Sequence, residues 1–203
     1  MINTLIFDFG DVFINLDKEG AMKNALNLFK VESFENDMLQ TNINYETGKI
    51  STPQFINFYL SKFPFLNKED IIDAWNYILN DFPKQRFDFV NKLSSHSNYN
   101  LILLSNTNEL HINHIEQHLD FFHDFKDCFN EFYLSHEIEL RKPDREIFEY
   151  VLKKNYLKPN ECLFIDDTKE NTDTAEAMGF HIWNIDENTE DIVNLFEVKK
   201  ELF

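Results

Sequence analysis

Asp8, Ser105 with Asn106, Lys142, and the adjacent pair Asp166 and Asp167 are residue types that together can move a phosphoryl group. A carboxylate such as Asp8 can attack phosphorus and form an aspartyl phosphate, dividing one difficult displacement into two easier ones. Carboxylate and phosphate repel each other, so the attack needs a cation. Mg2+ held by Asp8 and by one or both of Asp166 and Asp167 would bridge the nucleophile and a phosphoryl oxygen. Lys142 would neutralise further charge, and the Ser105 hydroxyl with nearby backbone N–H groups would hold a phosphoryl oxygen in the transition state. Taken singly these residues have plainer readings. Acidic residues at strand ends often cap loops, Ser105 suits a strand-ending turn, and Pro143 explains a turn after Lys142 without catalysis. Their joint occurrence is what points to chemistry.

The elements that must position them are legible as apolar runs that stop at polar residues. Leu5–Phe7 precedes Asp8, Leu101–Leu104 precedes Ser105, Phe132–Leu134 precedes Ser135, and Cys162–Ile165 precedes Asp166. Such runs read as buried parallel strands, and a fifth from Phe180 to Trp183 follows Gly179. Helix-length segments lie between them, at 83–96, 109–119, 144–155 and 170–178. This alternation predicts a doubly wound α/β sheet whose ligand crevice lies at the carboxyl ends of the strands, where the polar residues fall. Residues 17–81 break the alternation and read as helices, with Met22, Ala25, Leu26 and Phe29 at helical spacing, Thr52-Pro53 as a cap and first turn, and Asn67 ahead of a further apolar helix. The expected organisation is a core of residues 1–16 plus 82–203 with an all-helical lid of residues 17–81.

Composition narrows the function classes. The 203 residues are 43% apolar and 27% charged, with no run of eighteen apolar residues, and read as a soluble protein. The start MINTLIFDFG lacks a basic segment and meets Asp8 too early for a signal peptide, and the two cysteines, Cys128 and Cys162, form no metal-type pair; a reducing cytoplasm is expected. A formal net charge of −17 disfavours nucleic acid and anionic membrane surfaces, whereas a cation and a local lysine can still admit a phosphate ester to a pocket. The four glycines stand out against 22 phenylalanines, so each glycine draws attention as a backbone requirement.

The segments LIFDFGDV (5–12), LILLSNTN (101–108), RKPDREIF (141–148) and FIDDTKENTDTAEAMG (164–179) resemble the four ordered motifs of the haloacid dehalogenase superfamily. The helical stretch resembles its C1-type cap, and the pattern is similar to the branch containing sugar-phosphate phosphatases and the phosphatase domain of bifunctional epoxide hydrolases. The resemblance implies a Rossmann-like, five-stranded parallel sheet with the Asp8 strand in the middle, flanked by the Ser105 and Asp166 strands. It implies that Asp8 is the nucleophile, that Ser105, Asn106 and Lys142 bind phosphate, and that the substrate is a small phosphorylated metabolite. It further implies that the Gly10 carbonyl ligates Mg2+, with Asp167 as the main acidic ligand and Asp166 supporting it. Asn171 is a candidate for orienting the metal shell, or for a helix start.

One position departs from the pattern. Most phosphatases of this superfamily carry a second aspartate two residues after the nucleophile, as acid and base; here that residue is Gly10. Asp11 is one residue further, where an extended chain points its side chain elsewhere. The gap admits two other readings, a metal-free 2-haloacid dehalogenase and a degenerate protein that binds a phosphorylated ligand. Against the dehalogenase stands the Asp166-Asp167 pair, whose charge beside a nucleophilic carboxylate calls for a cation. Tyr45 and Thr47, in a segment expected over the site, are weaker candidates for substrate contact. His111, His114 and His118 share a helical face that reads as incidental rather than metal-binding.

Overall fold

In the computed structural model, which describes residues 1–96 and 99–203, five strands form one parallel sheet. They are β1 (Thr4–Phe7), β2 (Asn100–Ser105), β3 (Glu131–Leu134), β4 (Cys162–Asp166) and β5 (His181–Asn184), in the order β3-β2-β1-β4-β5. The apolar runs become central strands because both faces are covered, and every residue of β1 and β4 is buried. Register does the positioning. Phe7 pairs with Leu103 and Ile165, so the next residue, Asp8, leaves the sheet level with Asp166, and its N–H donates to Ile165 O at 2.8 Å. Chain order reverses on either side of β1, which opens the crevice at this end of the sheet.

Side-chain alternation divides the core between the two faces. Leu5 and Phe7 face a cluster that includes Phe9, Phe13, Phe122, Phe125 and Phe129, while Ile6 faces Ile102, Leu104, Phe148 and Phe164. The abundance of phenylalanine thus has a location. Phe125 is fully buried, with its ring 5.0 Å from those of Phe13, Phe82 and Phe129 and 5.5 Å from that of Phe9. Truncating it removes edge-to-face partners on several sides at once. Phe125→Ala is expected to cost about 3–5 kcal/mol in urea unfolding.

Between β1 and β2 the chain forms α1 (Lys18–Phe29), α2 (Asn36–Glu46), α3 (Thr52–Lys62), α4 (Lys68–Asn76) and α5 (Lys84–His96). The first four build their own apolar cluster around Phe29, Phe55, Tyr59 and Phe63, with Tyr45 stacked on Phe55 at 4.2 Å. Asn67 caps α4 through Asp70 N–H, and α3 begins one residue earlier than the sequence suggests: Ser51 is its cap, its N–H held by Gln54, with Thr52 and Pro53 in the first turn. The segments entering and leaving this helical part pair with each other, Asp17 N–H to Ile78 O at 2.9 Å and Asn15 N–H to Asp81 O at 2.9 Å.

Further helices alternate with the strands, α6 (Glu109–His118), α7 (Phe122–Lys126), α8 (Ser135–Ile138), α9 (Arg145–Lys154) and α10 (Lys169–Ala177), and the short α11 (Leu195–Val198) follows β5. The first helices dock on α6 and α8 through specific bonds. Leu110 N–H donates to Tyr45 Oη at 3.1 Å, Ser135 Oγ donates to Glu46 O at 2.6 Å, and Thr52 Oγ1 bonds Glu109. Gly48 makes this contact possible: its φ is +66°, and a Cβ there would sit 2.1 Å from His136 O. Among the described residues no helix is long and apolar enough to cross a membrane.

Candidate active site

Asp8 and the Asp166-Asp167 pair meet at the crevice because β1 and β4 are neighbours in register. One carboxylate oxygen from each of the three lies within 4.8 Å of the others. Lys142 completes the group from the loop after α8. Its ammonium is fully buried, 2.7 Å from Asp8 Oδ1 and 2.6 Å from Asp166 Oδ2. Asp166 is held from other sides too, by Asn171 Nδ2 at 3.0 Å from each of its oxygens and by Thr168 N–H at 2.8 Å.

Asn106 places Lys142. Its side-chain amide donates to Lys142 O at 2.8 Å and its carbonyl accepts from Lys142 N–H at 2.9 Å, a two-point clasp across the crevice. That side chain is therefore engaged with the backbone of Lys142. Ser105, buried at the end of β2, lines a cavity together with Asn106 and Gly10. The other residues expected in the first motif are equally constrained. A Cβ on Gly10 would stand 2.7 Å from Leu16 Cδ1, so the space that a side chain at position 10 needs is filled by Leu16. Asp11 has φ +53°, accepts from Leu16 N–H at 2.9 Å through one oxygen, and pairs with Lys18 Nζ at 2.7 Å through the other. It shapes the loop that carries Leu16.

The electrostatics call for more positive charge. Burial pushes the Asp8 carboxyl up from 3.8 to about 7; Lys142 opposes this, and Asp166 and Asp167 add to it. Burial alone would lower Lys142, but Asp166 and Asp8 outweigh it and hold the ammonium above its ordinary range. Hard carboxylate oxygens converging at this spacing, with anionic charge still uncompensated, fit a divalent cation such as Mg2+.

Two cavities open here. One of about 340 Å3 is lined by Asp8, Lys142 and Asp167 with Lys18, Arg141 and Asn171; the other, about 270 Å3, joins Gly10, Ser105 and Asn106 to Asn42, Glu46 and Trp75 of the helical part. A further cavity of about 430 Å3 holds none of Asp8, Ser105, Lys142 or the aspartate pair.

The segment over the site is the one expected, but it presents a different residue. Tyr45 and Thr47 are buried, Tyr45 bonded to Thr52 at 2.7 Å and Thr47 to Ile43 O at 2.7 Å, while Glu46 between them faces the cavity and pairs with Arg141 Nε at 2.7 Å. Glu46 is the last residue of α2, so its side chain lies about 100° around the helix from that of Tyr45 and leaves the face that Tyr45 buries. Lys18, Glu46 and Arg141 also line the site; Arg141 is marked in the sequence by its place beside Lys142 and Glu46 by its place between Tyr45 and Thr47, whereas Lys18 carries no local signal. The three histidines do not converge. His111 is half-buried with Nε2 3.0 Å from Trp75 O, and desolvation lowers its pKa to about 4, whereas His114 and His118 stack on each other at 4.1 Å.

A family model for haloacid dehalogenase-like hydrolases matches residues 2–179. The D-ribitol-5-phosphate phosphatase of Bacteroides thetaiotaomicron is 28% identical over 190 residues, covering 89% of this chain and 90% of that protein. A wild-type HAD family enzyme from the same organism, solved in complex with magnesium and inorganic phosphate, matches with a TM-score of 0.83 at 30% identity, covering 97% of this chain and 100% of that one. A HAD-like family hydrolase from Porphyromonas gingivalis matches with a TM-score of 0.78 at 26% identity, covering 98% of each chain.

Proposed function

This chain belongs to the haloacid dehalogenase-like hydrolase family, and we propose that it is a phosphatase that removes the phosphate of a small sugar or sugar-alcohol ester through an aspartyl phosphate on Asp8. The observation that carries this reading is the meeting of Asp8 with Asp166 and Asp167 within 4.8 Å, and with Lys142 Nζ at 2.7 Å from Asp8.

Asp8, Asp166, Asp167 and the Gly10 carbonyl would hold Mg2+, which when bound offsets the like charges of nucleophile and phosphate. Asp8 then attacks phosphorus: the new Oδ–P bond forms as the P–O bond to the sugar breaks. Position 10 has no side chain and Asp11 has both oxygens engaged, so the departing oxygen takes its proton from water. A second water attacks the aspartyl phosphate, releasing inorganic phosphate and restoring the Asp8 carboxylate. Lys142 neutralises charge on Asp8 and the phosphoryl group throughout, Ser105 Oγ donates to a phosphoryl oxygen, and Asn106 acts by clasping Lys142 in place. Asn171 keeps Asp166 from rotating.

We read residues 17–81 as a cap that shapes the leaving-group side of the site. The cavity of about 270 Å3 between Ser105 and the cap suits a compact molecule, and its wall mixes Trp75 with the amides of Asn42 and Asn108 and the carboxylate of Glu46. An aromatic wall with several amide and carboxylate groups suits hydroxyl-rich ligands. The relative that acts on D-ribitol 5-phosphate supports the same substrate class.

The test is a panel of phosphorylated sugars and sugar alcohols. Phosphate release is expected with Mg2+, strongest for esters of five or six carbons, and at least about a hundredfold lower with chelator. Metal-independent chloride release from 2-chloropropionate, with no phosphate release, would establish the dehalogenase instead. Tight binding of phosphate esters without turnover would mark a degenerate binding protein.

A further inference from the structure

Lys18 stands at the first position of α1, where the chain leaves the sheet for the helical part. Its Nζ lies 2.6 Å from Asp167 Oδ2 and 2.7 Å from Asp11 Oδ2, so a single ammonium bridges an acidic-cluster residue and a loop residue. It lines the same cavity as Asp8, Lys142 and Asp167. Two features set it apart from Lys142. The side chain of Lys18 is 50% exposed whereas that of Lys142 is 0% exposed, so Lys18 sits at the solvent edge of the cluster while Lys142 is sealed beneath it. Lys18 also has an anchor outside the acidic cluster, Asp11, whose other oxygen is fixed by Leu16 N–H at 2.9 Å.

We propose that Lys18 is a built-in counter-ion that bridges Asp167 and Asp11 when no divalent cation is bound and gives up Asp167 while keeping Asp11 when one binds, so that it lowers the affinity of the site for Mg2+. This rests on the reading of the acidic cluster as the Mg2+ site. A divalent cation and an ammonium cannot share one carboxylate oxygen at 2.6 Å without strong repulsion. The half-exposed, flexible four-carbon stem lets the ammonium move at low cost, and the existing bond to Asp11 keeps it paired. The same contact ties the start of α1 to a metal ligand, so cation loading also loosens one link between the cap and the sheet.

Titration of the full-length protein with MgCl2 by calorimetry tests this. Lys18→Met keeps the length of the stem and removes the charge; it is expected to bind Mg2+ on the order of tenfold more tightly than wild type. Lys18→Arg, which keeps the charge, is expected to bind within about twofold of wild type, as is Lys23→Met on the exposed side of the same helix. A purely structural role for Lys18 would instead weaken Mg2+ binding in Lys18→Met, and that result, or an unchanged affinity with an intact melting transition, overturns the proposal. Mg2+ binding by neither wild type nor Lys18→Met overturns the metal-site reading along with it.

Discussion

Replacing Asp8 by asparagine is expected to abolish turnover, by at least about 10^4-fold in phosphate release, because the amide cannot form the acyl phosphate. The fold should survive. Asparagine is nearly isosteric, and Lys142 keeps its 2.6 Å partner Asp166. Stability gives a second readout with a defined sign. The folded-state pKa of Asp8 is raised from 3.8 to about 7, so ionised Asp8 destabilises the cation-free protein, and stability is lost as pH rises through that interval. Asp8→Asn removes the penalty. Without Mg2+ the variant is expected to melt above wild type at pH 8, the gap closing as the pH falls toward 4. A variant that turns over at a substantial fraction of the wild-type rate would remove Asp8 from the chemistry.

Lys142→Met is expected to damage both activity and stability. The ammonium is the shared partner of Asp8 and Asp166, and all three lie inside the protein. A methionine of similar length fills the slot but leaves two buried carboxylates facing each other. Removing one member of a buried ion pair typically costs about 3–5 kcal/mol, and urea unfolding in chelator should show a loss of that size. Mg2+ should recover part of the stability, since a cation at the cluster offsets the same anionic charge. It should not recover turnover, because charge on the transferring phosphoryl group would still lack its lysine; kcat is expected to fall at least about a hundredfold. Arginine at 142 is not a conservative test, since a branched guanidinium does not fit where a fully buried, unbranched chain now lies.

These two expectations concern residues that local patterns already mark. Four apolar runs and the polar residues that end them identify the strands and the crevice end of the sheet, because a strand covered on both faces must be continuously apolar and must stop where the chain turns into solvent or a site. The helical stretch was legible for a similar reason, from apolar spacing and capping residues such as Asn67. Boundaries were less so. Ser51 rather than Thr52 caps α3, because the neighbouring residues offer hydroxyls of nearly the same capping strength and the choice falls to backbone geometry.

Residue identity and spacing along the chain therefore determined which groups were available for chemistry and to which end of the sheet each belongs. Tertiary structure alone decided what their side chains touch. Asn106 clasps the backbone of Lys142, Leu16 fills the space beside Gly10, Glu46 rather than Tyr45 or Thr47 faces the site, and Lys18 reaches Asp167 across 149 positions of sequence. A hydrophobic pattern specifies the direction of the chain over a few residues. Which remote atoms come within 3 Å depends on strand register and on how the helices dock, and neither is written in any single segment.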